Sequence, residues 1–296
     1  MTKNWGRWGE QDQIGTLNLL SPEQVRRCCA EYVRTGEVIP LAHQISATAT
    51  PNFPPRGGPV HLMAVDGAAY TAGAVATSGC EMADDWIFMP TQTGTHVDAL
   101  AHVWDEAKLY NGFSRDQIRT TSGAKVCSVA SIPPIVGRGV LIDVARAAGV
   151  DRLPGDTRIT GDMLEQQLVA AGVELEPGDI VLLRTGWMSM WREDPETFRE
   201  FCPGIDYSGG EFLADHDVAA IGADNQSVEA VPWDVQGTRR AAPVHLRVMR
   251  DCGIHLFELM NLEQLADRAT GPFLFVGTAL PIKGAVGSPM APVAIL

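Results

Sequence analysis

Five short apolar runs between residues 139 and 280 limit what the chain can fold into: residues 139–144 (GVLIDV), 180–183, 219–223, 255–259 and 273–280. Runs this brief and this apolar read as buried strands. Two helical stretches lie among them. Residues 160–171 place Met163, Leu164, Leu168 and Val169 on one apolar side, and residues 244–252 form the second helix. Strands alternating with single helices predict an α/β fold. Several neighbouring runs, however, are joined too briefly for a right-handed crossover, so the sheet is expected to be mixed and not doubly wound. No repeat, low-complexity tract or linker divides the 296 residues, and a hydrophobic content of 45% is enough for a sizeable core. The expectation is one domain over residues 1–296 with a Trp-rich arm at its N-terminus.

That arm, WGRWG, is expected to pack on the body through its tryptophans. Residues 21–33 read as a helix capped by Ser21 with Pro22 in the first turn. Residues 38–45 read as a strand. The proline- and glycine-rich stretch 50–67 reads as a loop in which His61 has no evident partner. Residues 85–90 (DWIFMP) are expected to be an apolar strand leading directly into the stretch that follows.

Composition removes several functions. With 23 basic against 36 acidic residues the net charge is −13. No basic run is present, which argues against nucleic acid or an anionic membrane as partner. No stretch approaches the roughly 18 apolar residues of a membrane span. The first residues lack the apolar centre of a signal peptide, so a cytoplasmic location is expected. Six cysteines occur without a CxxC pair, and reduced, mostly buried thiols are expected. A G-x-S-x-G elbow, an H-E-x-x-H helix, a P-loop and G-x-G-x-x-G are all lacking. Nothing marks one thiol as a nucleophile, and metal-assisted chemistry is what remains.

Residues 92–102 (QTGTHVDALAH) hold the candidate site. Gln92, His96, Asp98 and His102 are all even-numbered, so an extended chain projects them from one face. If the chain turns helical at Ala99 instead, Asp98 and His102 still meet as an i,i+4 pair. Gly94 and Thr95 suit a close backbone approach. Buried His and Asp are costly unless paired or metal-bound, so the spacing leaves two readings open, a divalent-metal site and an ordinary hydrogen-bonded pair. Trp86 and Phe88 before the cluster, and Trp104 and Tyr110 after it, are candidate substrate-binding aromatics. Aromatic residues in such places are more often core.

The stretch resembles the H-x-G-T-H-x-D-x-P-x-H signature of the metal-dependent cyclase and kynurenine formamidase-like hydrolases, which include isatin hydrolases. RWGEQDQIGTLNLL, PGDIVLLRTGW, PVHLRVMRDCGIHLFELMNLEQLA and GSPMAPVAIL are similar to other parts of the longer members, so the likeness spans nearly the whole chain. It implies a swivelling β/β/α-like domain that forms a homodimer or homotetramer. It also implies metal ligands at His96, Asp98, His245 and Glu258, with His102 as the acid/base residue. One or two zinc or manganese ions would be the cofactor. Two positions depart from the signature. Gln92 stands at the first ligand position, where an amide oxygen is a weaker ligand than imidazole and suits manganese better, and Leu100 stands for the proline. The implied activity is hydrolysis of an aryl formamide, cyclic amide or lactone, with a small aromatic or cyclic molecule as substrate. A metal-dependent lyase or dehydratase, and a catalytically silent metal- or ligand-binding protein, are the alternatives.

Overall fold

The computed structural model describes residues 3–74, 79–233 and 241–296. Nine strands form one sheet: β1 Val38–Pro40, β2 His96–Asp98, β3 Ile135–Asp143, β4 Ile180–Arg184, β5 Ala220–Ala223, β6 His255–Glu258, β7 Phe273–Gly277, β8 Gly287–Pro289 and β9 Val293–Ile295. Their spatial order is β1-β9-β7-β3-β4-β5-β6-β2-β8. The central four, β3 to β6, run parallel. The pairs flanking them are antiparallel. The sheet is thus mixed, as the short connections require, and the chain forms a single α/β domain.

Apolar side chains cover both faces of the sheet. Along β4, Val181 and Leu183 enter one core cluster and Ile180 and Leu182 the other, which is the continuous apolar signature of a strand buried on both sides. Helices α1 Pro22–Glu31, α2 Gly161–Ala171 and α3 Tyr207–Asp215 pack outside the strands. Ser21 caps α1 by accepting the Gln24 N–H, and Thr160 caps α2 by accepting that of Met163. Gly139 in β3 is fixed by packing, since a Cβ there would lie 2.2 Å from the Phe273 ring. In the N-terminal arm Trp5 Nε1 donates to the Arg250 carbonyl oxygen at 2.7 Å.

Several local expectations are corrected. The 50–67 stretch is not all loop, because Val60–Val65 is a strand paired with Asp84–Phe88 in a separate hairpin. His61 has a partner there, Asp85 at 2.7 Å. Every residue of Asp84–Phe88 is exposed, so that segment is not a sheet strand delivering the polar cluster. The strand at 38–45 stops at Pro40, and the one at 273–280 stops at Gly277. Val169 is 74% exposed, because it is one residue past the Leu164–Leu168 stripe and therefore about 100° around the helix. The 244–252 helix is α-helical only as α4 Pro243–His245, followed by the π-helix Leu246–Asp251. Cys28, Cys127, Cys202 and Cys252 are buried, whereas Cys29 and Cys80 are exposed, and all six are free.

Candidate metal centre and active-site cavity

Strands β2 and β6 carry the polar cluster between them. In their antiparallel register Glu258 lies opposite His96, and Leu256 opposite Asp98. Period-two alternation then puts His96, Asp98 and Glu258 on one face, while Val97 and Phe257 enter the core on the other. The stretch is extended only at His96–Asp98. The chain turns after Asp98, with His102 N–H donating to the Ala99 carbonyl oxygen at 2.8 Å, and this turn brings His102 Nε2 within 3.9 Å of Asp98 Oδ2.

Backbone contact fixes the His96 ring. Its Nδ1 is 2.8 Å from the Gly94 carbonyl oxygen, so the neutral ring carries its hydrogen there and presents a bare lone pair at Nε2. That atom lies 3.2 Å from Glu258 Oε2 and 3.9 Å from Asp98 Oδ1. Three acceptors therefore converge, with one atom from each of His96, Asp98 and Glu258 within 4.8 Å of the others. His96 Nε2 and Asp98 Oδ1 are buried and have no hydrogen-bond partner among the described residues. The 3.2 Å separation is an ion-pair distance and becomes a hydrogen bond only if a proton sits between the two atoms. Burial lowers the His96 pKa, but Glu258 and Asp98 outweigh it and hold the value above the ordinary one. A positive charge belongs in this volume, either a proton or a cation. An imidazole with two carboxylates suits zinc or manganese.

His245 joins from the far side of Glu258, its Nε2 lying 3.4 Å from Oε1. It is buried, 6% exposed, and not on a helix surface. Its Nδ1 hydrogen-bonds Glu229, whose other oxygen accepts the Val244 N–H at 2.9 Å. This carboxylate–histidine pairing orients metal-binding imidazoles and raises their basicity. Burial opposes the charged form of His245, yet Glu229 and Glu258 together push its pKa well above the ordinary value. Burial also works to raise Glu258, but His245 and His96 hold it below the usual carboxylate range.

His102 has a different environment. Its side chain is 22% exposed, and burial lowers its pKa, with Asp98 opposing and His245 reinforcing the shift. A neutral imidazole at the edge of the cluster is suited to proton transfer. Gln92 lies against this ring, its Nε2 3.5 Å from His102 Nδ1, while its Oε1 accepts the Thr91 hydroxyl at 2.9 Å. Gly287 makes room for it, since a Cβ there would come within 2.4 Å of Gln92 Nε2.

A cavity of about 480 Å³ opens on the cluster, lined by Gln92, His96, His102, His245 and Glu258 among others. The aromatics expected from sequence are elsewhere. Trp86 and Phe88 are 70% and 81% exposed on the hairpin, and Trp104 is 43% exposed. Tyr110 is fully buried with its hydroxyl donating to Asp12 at 2.8 Å. Proximity in sequence did not translate into proximity at the cavity, whose aromatic lining residues are Phe53 and Trp233. Sequence reasoning also missed Glu229. The signal was available, since an acid flanked by apolar residues in SVEAVP invites the same cost-of-burial argument as Glu258.

Comparison with known proteins places these features. The Cyclase family model matches residues 39–230. A crystal structure described as a novel cyclase superposes with a TM-score of 0.91 at 35% identity, covering 100% of both chains. An isatin hydrolase bound to the product analogue thioisatinate superposes with a TM-score of 0.66 at 19% identity, over 94% of this chain and 99% of the other; at that identity the likeness concerns the fold. Cyclase-like protein 3 of Oryza sativa subsp. japonica is 28% identical over 208 residues, 68% of this chain and 62% of the rice protein. With a family match across most of its length and a full-length structural relative at 35% identity, this chain belongs to the Cyclase family.

Proposed function

We propose that the protein is a divalent-cation-dependent hydrolase that adds water to the carbonyl of an aryl formamide, cyclic amide or lactone. The observation that carries this reading is the convergence of His96 Nε2, Asp98 Oδ1 and a Glu258 oxygen, the first two buried without hydrogen-bond partners among the described residues, at a cavity that also holds His102. His96, Asp98 and Glu258 would hold the cation, with His245 reaching it beside Glu258. A cation there supplies Lewis acidity, polarising a carbonyl oxygen and acidifying water.

The chain's own residues supply the rest. Glu229 keeps the His245 ring fixed, as the Gly94 carbonyl oxygen keeps that of His96. His102 Nε2, beside Asp98 and neutral at rest, accepts the proton of the attacking water and returns it to the leaving nitrogen or oxygen. Gln92 holds the other edge of that ring. Phe53 and Trp233 give an aromatic or cyclic substrate apolar surface to lie against.

The test is turnover of formanilides, imides and lactones by protein loaded with zinc or manganese, with product masses recorded. The expected product is substrate plus one water, and chelation abolishes its formation. Products without added water would replace hydrolysis by elimination. Tight stoichiometric metal binding with no turnover of any member would leave a binding protein.

A further inference from the structure

The protein carries a net charge of −13, yet among the described residues that line its cavity arginines outnumber carboxylates. Among the described lining residues the only acid is Glu258, already part of the cation cluster, while Arg56 and Arg199 both line the wall. Arg199 is anchored. Its Nε donates to the Asn52 carbonyl oxygen at 2.8 Å and its Nη2 to Asn52 Oδ1 at 3.0 Å, and its guanidinium lies 4.9 Å over the Trp191 ring. Nη1 makes no hydrogen bond among the described residues. Arg56 stands on the adjoining turn, where its N–H donates to the Phe53 carbonyl oxygen at 2.7 Å and Phe53 bridges Gly57. Its guanidinium forms no hydrogen bond or ion pair among the described residues. Arg56 is exposed at the cavity wall and has no ion pair among the described residues, so its guanidinium is open to an anion arriving from outside.

We infer that this cavity selects substrates bearing a carboxylate, which Arg56 and the fixed Arg199 hold while the scissile carbonyl sits at the His96–Asp98–Glu258 cluster. The inference deepens the hydrolase reading and rests on it for the position of the carbonyl. Guanidinium is the side chain best matched to a planar carboxylate, which it binds through paired N–H donors. A hydrogen bond to a charged group contributes about 1.5–3 kcal/mol, which corresponds to about 10- to 100-fold in affinity.

Two measurements separate the inference from the reading beneath it. The first compares formanilide with its 3-carboxy and 4-carboxy derivatives on zinc- or manganese-loaded protein. Wild type is expected to favour a carboxylated substrate by about tenfold or more in kcat/KM, and Arg56→Ala is expected to collapse that ratio through KM, with Arg56→Lys recovering part of it. An equal loss on carboxylated and neutral substrates would assign Arg56 to the fold instead. The second needs no turnover: benzoate and benzamide are titrated calorimetrically into the protein with and without cation. Benzoate is expected to bind in both states, benzamide about tenfold more weakly or worse, and Arg56→Ala to erase the difference. Failure of benzoate to bind chelator-treated wild type overturns the inference even if hydrolysis is found. Benzoate binding without turnover of any substrate would preserve the anion site and overturn the hydrolase.

Discussion

At the scale of single residues, the site is governed by which ring nitrogen keeps its hydrogen. His96 and His245 both spend Nδ1 on a fixed acceptor, Gly94 and Glu229 respectively, and turn Nε2 towards Glu258. Cation binding must then displace protons that Asp98, Glu229 and Glu258 have drawn onto these rings. Metal titration in buffers of different ionisation enthalpy is therefore expected to show proton release near pH 7 and affinity rising with pH. A titration independent of buffer would mean that both rings are already neutral. Glu229→Gln keeps the shape but removes the charge facing His245, and a loss of about 10- to 100-fold in metal affinity is expected. Unchanged affinity would exclude His245 from the ligand set.

His102→Ala is expected to cost about 10²- to 10⁴-fold in rate with metal content retained, since the ring lies 3.9 Å from Asp98 and outside the closest group. Loss of metal in that variant would make His102 a ligand. Of these residues, His96, Asp98 and His102 were legible from spacing alone, whereas His245 and Glu258 were reached through the family signature. Glu229 was not legible from spacing because its loop has no period, and only the cost of burying an acid among apolar neighbours could have found it. It follows Val228 at φ 57, an irregular backbone that no alternation rule describes.

At the scale of elements, the pairing of β2 with β6 is what makes a site from segments about 160 residues apart in sequence. Apolar runs revealed the parallel centre of the sheet, because a strand buried on both faces is apolar throughout. They did not reveal β2, whose three residues are two-thirds polar, nor β8 and β9, which are too short to stand out. The hairpin of Val60–Val65 and Asp84–Phe88 misled for the opposite reason. It is apolar, yet Leu62, Trp86 and Phe88 are exposed, and a two-stranded hairpin is only marginally stable by itself. Leu62→Ala is thus expected to change global stability by less than about 0.5 kcal/mol. Leu182→Ala in β4, fully buried between the parallel strands, is expected to cost about 2–5 kcal/mol. Thermal melts of the two variants check this; a large shift for Leu62→Ala would show the hairpin to be covered in solution.

At the scale of the whole molecule, stability against pH is a sum of buried groups pulling in opposite directions. Burial raises Asp179 and Asp224 to about 6, so each favours the fold as pH falls towards the ordinary carboxylate range. His255 does the reverse. It begins β6 at 1% exposure, and both ring nitrogens lack a hydrogen-bond partner among the described residues. Burial depresses its pKa to about 3, opposed only by the charge of Asp12. Below its ordinary pKa of about 6.5 the unfolded chain takes up a proton that the folded chain refuses until about 3. Between those values the unfolded state binds more protons, and stability drains away by about 1.4 kcal/mol per pH unit as pH falls. Leucine occupies a similar volume without a titratable nitrogen. His255→Leu is therefore expected to match or exceed wild type at pH 7 and to gain on it steadily down to pH 4, a difference of a few kcal/mol by denaturant titration. Because the aspartates titrate alike in both proteins, they cancel from that difference. A gap that stays flat from pH 7 to pH 4 would mean that His255 acquires a partner for its charge in the folded protein.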